Sequence, residues 1–353
     1  MIHETDLYGI QSPFKILAWS DRIKSKLSGV IPNPVTITID LANKCNHNCL
    51  WCFNFKYRTE DPVIMSKKNI DDILRIVNND RLGIQGVELT GGGEPTLNKY
   101  FGYFLTHCNK PIGITTNGEL LNRYMSAISN SKISFLRISL DAACTETYKK
   151  LHGVDRLQCV LDNIRILGGI RLVKPFTLGV SFLVVPSNVS EIYTAAAEVK
   201  KRGVDYINFR PAYNNYALVK NRMDYDALDF IEKRKGSIEY AINSAKQLED
   251  KKFKVYSTFG KLARKWNFKK CYVLGLNPVI GAQGDVFLCC ERRGDLCIGN
   301  LNKNSFYTIW ASYFGGGRPP IGINKCPKRC KMVLANETIE RTIVNDSFGR
   351  CFI

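Results

Sequence analysis

The sequence predicts an α/β fold: a partial (β/α)6 barrel of parallel strands followed by a small cysteine-bearing domain. Three observations carry this expectation. Six β-branched runs alternate with helix-period segments through the first part of the chain, the mark of strand–helix units and a parallel sheet. Six units are too few for an eight-fold barrel, so the sheet is expected to stay open. Beyond them the alternation stops, and cysteines return at Cys271, Cys289, Cys326 and Cys330.

The elements follow in order. Residues 34–41 ("PVTITIDL"), β-branched and bounded by Pro and Asn, read as the first strand. Residues 86–90, 111–117, 135–141, 177–185 and 204–210 are the next five. Ser66 is placed to cap the helical run "KKNIDDILRIVNN"; Ser187 or Asn188 opens "VSEIYTAAAEVKKR", and Gly203 closes it. Residues 224–252 read as a long amphipathic helix with a break near Gly236. These elements divide the chain into an N-terminal extension (1–33), a core (34–222), a helical and basic connection (223–270), an auxiliary domain (271–335) and a tail (336–353).

Composition excludes several classes. The 353 residues are 45% hydrophobic, enough for a sizeable core. No apolar run approaches the roughly 18 residues of a membrane span, and the N-terminus lacks the apolar core of a signal peptide. A cytoplasmic chain with no membrane partner is expected. In that compartment 13 cysteines point to metal or redox chemistry rather than disulfides.

The first strand leads into "KCNHNCLWCFNF", with Cys45, Cys49 and Cys52 spaced C-x3-C-x2-C. A structural zinc site wants four ligands, so it would need His47 or a distant residue. Disulfides would leave one thiol over. An iron–sulfur cluster with one iron lacking a protein ligand accounts for the number three. The position is also right, because chemistry in parallel α/β folds sits at the carboxyl ends of strands. The second strand ends in "TGGGEPTL", whose glycines let the backbone approach a ligand closely and whose Glu94 adds a carboxylate. The third ends in "TTNG" and the fourth in "SLD", placing Ser139 and Asp141 at the rim.

These motifs together resemble the radical S-adenosylmethionine (SAM) superfamily, over roughly residues 34–211: C-x3-C-x2-C after the first strand, an aromatic before the third cysteine (Trp51), and a G-G-E-P loop after the second strand. The resemblance implies that Cys45, Cys49 and Cys52 hold a [4Fe–4S] cluster whose fourth iron is chelated by SAM. It implies that Gly93 and Glu94 meet the SAM amino group with Gly92 also lining the cofactor, that Ser139 meets the ribose or carboxylate with Asp141 assisting, and that the backbone around Trp51 meets the adenine. Thr116, Asn117 and Ser181 are further candidates for the SAM and substrate cavity. The implied chemistry is one-electron cleavage of SAM to a 5′-deoxyadenosyl radical that abstracts hydrogen from a substrate, with a flavodoxin- or ferredoxin-type reductant outside the chain. The cofactor carries the hard step and the protein orients it.

Downstream, Cys271, Gly284 and Cys289 are spaced C-x12-G-x4-C, and "IGAQGDVFLCC" reads as a β-hairpin turning near Gly284 that brings Cys271 and Cys289 together. With the later pair Cys326 and Cys330, this resembles the twitch form of the SPASM extension, which implies one auxiliary [4Fe–4S] cluster. The closing pair is C-x3-C rather than C-x2-C, Cys290 is an alternative to Cys289, and zinc is the alternative metal. Cys108, Cys144, Cys159, Cys290, Cys297 and Cys351 remain; Cys351 is flagged as a hydrogen-atom donor of the kind some radical SAM epimerases use.

Net charge is +18, of which two clusters would remove about three units. Residues 251–270 ("KKFKVYSTFGKLARKWNFKK") hold eight basic residues, five aromatics and no acid, a composition suited to tracking a phosphate backbone and stacking bases, or simply to a solvated face. An anionic substrate is therefore expected, nucleotide-linked or nucleic acid by preference, to be oxidised, rearranged or epimerised. A sugar, cyclitol or peptide substrate is the alternative within the same class. A non-catalytic iron–sulfur protein that binds nucleic acid is the alternative outside it.

Overall fold

The computed structural model describes residues 12–52, 54–212, 227–259, 270–293, 296–316, 326, 330 and 332–344. Ten strands form a single sheet: β1 (Thr36–Ile39), β2 (Gly86–Leu89), β3 (Ile112–Thr116), β4 (Ile133–Ser139), β5 (Thr177–Val184), β6 (Tyr206–Pro211), β7 (Lys254–Ser257), β8 (Val279–Ile280), β9 (Asp285–Phe287) and β10 (Cys297–Asn300). Their lateral order is β10-β9-β8-β1-β2-β3-β4-β5-β6-β7. From β1 to β7 each strand lies parallel to the next in sequence. Parallel strands joined in strict order by crossovers of one hand carry their helices on one face, and such a sheet curls rather than winding doubly.

Alternation along the strands identifies the two faces. Ile37, Ile39, Val87, Leu89, Ile112, Ile114, Leu136, Ile138, Leu178, Val180, Ile207 and Phe209 are buried and join one hydrophobic cluster with the helices. The intervening positions are mostly polar or glycine, with Phe135 and Tyr206 lying over Gly113 and Gly179. Register places Thr38 beside Glu88, Thr115 beside Arg137, and Ser139, Ser181 and Asn208 in one lateral row. The polar face, turned away from the helices, is the concave one.

The six expected strands are present, and the sheet runs further at both edges. β7 falls within the segment read as a basic connection, and β8 pairs in parallel with β1. Phe253, at 1% exposure, belongs to the core, and Tyr256 lies against Tyr206 at 5.7 Å. This corrects the expectation that the aromatics of 251–270 share one stacking surface. Lys261, Arg264, Lys265 and Trp266 lie outside the described residues.

Local signals met their expected partners with two differences. Ser66 Oγ accepts from Asn69 N and caps the helix Lys67–Asn78, and Gly203 ends its helix with φ +79°. Asn188 does not cap with its side chain. It accepts from Val185 N and donates to Asp141 O and Leu183 O, tying the ends of β4 and β5 together. The helical break falls at Arg234 rather than Gly236, between Ala227–Lys233 and Lys235–Lys246. Among the described residues no helix is long and apolar enough to cross a membrane.

Candidate functional site

β1 delivers the chain through Asp40 into the loop of Cys45, Cys49 and Cys52, all half-buried thiols. Two neighbours fix this loop. On one side Asn48 N and Leu50 N donate to His152 O and Leu151 O (2.8 and 3.1 Å), at the end of the helix Thr145–His152. On the other, Gly93 N and Glu94 N donate to Ala42 O and Lys44 O (both 2.9 Å). A Cβ on Gly93 would stand 2.0 Å from Lys44 O, and one on Gly92 would meet Tyr57 at 2.8 Å. The glycines therefore let their loop lie on the cysteine loop itself, a protein–protein approach where the sequence suggested only a protein–ligand one.

Cys49 Sγ lies 3.4 Å from His152 Nδ1. The far nitrogen of His152 meets Leu140 O at 3.1 Å and Asp141 Oδ2 at 3.2 Å, and its ring stacks on Tyr148 at 4.2 Å. His47 reaches His152 at 3.4 Å and Glu119 at 2.9 Å. Burial alone would push the Cys49 thiol up, but His152 and His47 beside it bring it down to about 6. Burial likewise disfavours a charged His152, yet Cys49 and Asp141 raise it to about 10. His152 and His47 thus favour the thiolate form of Cys49, the form that ligates metal. Three half-buried thiols on one short loop, one of them beside an imidazole that favours its thiolate, fit an iron–sulfur cluster. Sequence reasoning noticed His47 as an alternative zinc ligand and missed His152; "KLHG" carries no signal of its own.

The strand-end residues divide into two groups. Glu94 is 2% exposed and both of its carboxylate oxygens accept hydrogen bonds. One oxygen accepts from Thr96 N (3.0 Å), Thr96 Oγ1 and Thr116 Oγ1 (both 2.6 Å), and the other from Asn117 N at 2.8 Å. It staples the ends of β2 and β3 from within the glycine loop. Asn117 Nδ2 continues to Asn46 Oδ1 in the cysteine loop at 2.8 Å. Asp141 is likewise committed. With φ +58° and 2% exposure, it turns its carboxylate to Leu183 N and His152, so any assistance to Ser139 is indirect. Trp51 packs in a small apolar cluster with Leu151, Val185 and Ala212, its ring edge-on to His152 at 5.8 Å.

Ser139, Ser181 and Asn208 form the second group, side by side on the concave face. Asn208 is 2% exposed and its Oδ1 has no hydrogen-bond partner among the described residues. A buried orphan acceptor beside two hydroxyls fits a ligand that brings donors, as a ribose does. Asn208 was not singled out from the sequence, where it is one polar residue inside a strand.

The C-terminal cysteines converge. β8 and β9 form the expected hairpin, Gly284 turning at φ +87°. Burial raises the Cys271 thiol, with Cys326 adding to the effect, and burial raises Cys330 to about 12, with Cys271 and Cys290 adding. Cys289 is raised most by Cys290, then by burial, with Cys330 also contributing. Crowded, half-buried thiols that resist ionising in one another's company are a donor set whose charge an iron–sulfur core would neutralise. Lys26 Nζ donates to Tyr272 O and Leu274 O (2.8 and 2.6 Å); burial lowers it to about 8 while Cys271 pulls the other way. Cys351 lies outside the described residues. Between the two centres, Arg293 Nη2 and Nε meet Asp40 Oδ1 and Oδ2 at 3.0 and 2.8 Å, the pair almost wholly buried. Burial pushes Asp40 up to about 6 against the pull of Arg293.

Comparison with known proteins decides the family. The radical SAM superfamily model matches residues 39–193, and an iron–sulfur cluster-binding domain of the SPASM type matches 271–315; together they span more than half of the chain. The chain belongs to the radical SAM superfamily. Its cofactors are SAM with a [4Fe–4S] cluster, and an auxiliary cluster in the SPASM-type domain. Relatives of this radical SAM protein include a probable GTP 3′,8-cyclase of Saccharolobus islandicus, 29% identical over 182 residues, covering 49% of this chain and 55% of the relative. One of Thermococcus kodakarensis is 30% identical over 155 residues, covering 42% and 48%. The chain spans about half the length of the curated relatives it matches. Among solved structures, SuiB of Streptococcus suis bound to S-adenosylmethionine superposes with a TM-score of 0.63 at 17% identity, covering 87% of this chain and 74% of that one. Native anSMEcpe with bound AdoMet gives 0.58 at 16% identity, covering 84% and 88%. At these identities the likeness is one of fold.

Proposed function

We propose that this radical SAM protein is an enzyme that cleaves SAM reductively and acts on an anionic, nucleotide-linked substrate. The observation that carries the reading is the three-thiol loop at the end of β1, clamped between the glycine loop and the helix Thr145–His152 with Cys49 Sγ 3.4 Å from His152 Nδ1. When bound, the cluster and SAM supply a 5′-deoxyadenosyl radical able to take hydrogen from an unactivated C–H bond. The chain's own residues bind and orient. Cys45, Cys49 and Cys52 ligate one cluster; Cys271, Cys289, Cys326 and Cys330 ligate the other. The backbone of Gly92, Gly93 and Glu94 receives the SAM amino group, with Thr116 and Asn117 bracing that loop through Glu94. Ser139, Ser181 and Asn208 receive the ribose, and the backbone at Trp51 the adenine. Asp141 holds His152, and His152 holds Cys49.

A nucleotide-linked substrate is supported by the net charge of +18 and by the relatives named as probable GTP 3′,8-cyclases. The concave face also carries Arg137, held to Thr115 Oγ1 at 2.9 Å and paired with Glu88 at 3.7 Å, as a guanidinium on which an anionic group would compete with that carboxylate. Electrons come from an external one-electron carrier of the flavodoxin or ferredoxin type. The test is anaerobic incubation of the reconstituted full chain with SAM, dithionite and a nucleotide panel that includes GTP. Release of 5′-deoxyadenosine, stimulated by one nucleotide, is expected. No release overturns the enzyme reading; release that no nucleotide stimulates overturns the substrate class.

A further inference from the structure

We propose that Lys26 is a positioning residue of the auxiliary centre, an ammonium clamped beside the Cys271 sulfur that biases the centre toward holding an additional electron. The inference rests on the reading that Cys271 ligates an iron–sulfur cluster.

The N-terminal segment was read from sequence as an extension, but it packs against the auxiliary domain. On the helix Ser20–Leu27, Ile23 is buried with Tyr272, Leu276 and Ile339. Lys26 lies three residues on, along the same face of the helix. Its two hydrogen bonds end on the carbonyls of Tyr272 and Leu274, directly after the cysteine. An ammonium has three N–H groups, so these bonds leave one N–H and the whole charge. Lys26 has no ion pair with a carboxylate among the described residues, and the neighbouring Lys270 is of like sign. A cation drawn out of water without a counter-charge is costly. A four-thiolate cluster, with a net charge of about −2 oxidised and about −3 reduced, supplies that counter-charge.

A second side chain acts on the same turn. Asn336, fully buried, accepts from Tyr272 N and Val273 N (2.6 and 3.3 Å) and donates to Cys271 Sγ at 3.7 Å. The turn that follows this sulfur therefore holds a fixed cation, and the sulfur itself a polar donor, contributed by helices from the two ends of the chain. Donors and positive charge at a ligating sulfur stabilise the more negative state of a cluster. An auxiliary centre so biased is suited to receive the second electron of a substrate oxidation rather than only to shape the pocket.

The test is a redox titration of the reconstituted full-length protein, followed by electron paramagnetic resonance with and without SAM; the signal that SAM perturbs is the core cluster. Lys26→Gln keeps a donor and removes the charge; Lys26→Arg keeps the charge. In Lys26→Gln the reduced-to-oxidised ratio of the auxiliary cluster at fixed potential should fall about tenfold, equivalent to about 59 mV for one electron. Lys26→Arg should stay near wild type, and the core signal should not move. An unchanged auxiliary potential in Lys26→Gln overturns the inference. So does loss of auxiliary iron in Lys26→Gln with retention in Lys26→Arg, which would make the ammonium a structural strut. If the wild type assembles no second redox-active cluster, the parent reading of the cysteines fails with it, and iron content tells the two failures apart.

Discussion

Glu94 is a motif residue that also holds the strand ends around it together. Its carboxylate accepts four hydrogen bonds from Thr96, Thr116 and Asn117 at 2% exposure. Glu94→Gln would aim an amide N–H₂ at groups that are themselves donors. Leaving buried donors unsatisfied costs about 1–3 kcal/mol, so the apo-chain should melt earlier and SAM should bind more weakly. Thermal unfolding and SAM titration together check this; weaker SAM binding with unchanged stability would instead return the carboxylate to direct contact. His152 teaches the same lesson from the other direction. It has no motif, yet it brackets Cys49 with Asp141 and Tyr148, because its helix ends where the cysteine loop passes.

Among the elements, the glycine loop and the cysteine loop form one unit. Gly93→Ala would drive a methyl into the Lys44 carbonyl, a backbone atom that cannot rotate away. The two loops must part, so iron bound in the core should fall sharply and the melting temperature should drop. Gly169 provides the contrast. It lies within the helix Leu157–Val173, and nothing stands within 4 Å of a Cβ built there. Gly169→Ala should stabilise by up to about 1 kcal/mol with iron unchanged. Iron content and thermal unfolding of the two variants separate a packing constraint from a general aversion to methyl groups.

For the molecule as a whole, the buried Arg293–Asp40 pair ties the auxiliary domain to the root of the cysteine loop. Removing one partner of a buried pair costs about 3–5 kcal/mol, while replacing both is far milder. Arg293→Met should therefore destabilise strongly, and the double variant with Asp40→Asn should recover much of the loss. The pH dependence has a definite sign. Asp40 titrates in the fold at about 6, above the ordinary aspartate value near 4, so the stability favoured by its protonated form is lost as pH rises through that window. Without Arg293 the value climbs further, and the deficit of Arg293→Met should be larger at pH 8 than at pH 5 in thermal unfolding; an equal deficit would sink the assignment. The two metal centres should nonetheless be separable. Replacing Cys45, Cys49 and Cys52 together with Ala should abolish SAM cleavage yet leave about four irons per chain; loss of all iron would break the two-centre reading.

The sequence by itself determined the parallel α/β core, the placement of three thiols after the first strand, and the hairpin that turns at Gly284. Each is a local signal: period-two β-branched runs, C-x3-C-x2-C spacing, and a glycine where the backbone must take φ +87°. Only the tertiary structure decided which polar residues serve the site. His152, Asn208, Arg293 and Lys26 come from separate helices, strands and loops, and nothing in their own neighbourhoods marks them. They matter because folding brings them to a sulfur, a carboxylate or a shared lateral row. The structure likewise turned Glu94 and Asp141 inward and took Phe253 into the core, since a buried carboxylate must find donors and an apolar ring must leave water. Spacing along a chain records which groups are available, whereas burial and hydrogen-bond satisfaction, which depend on distant neighbours, settle what each one does.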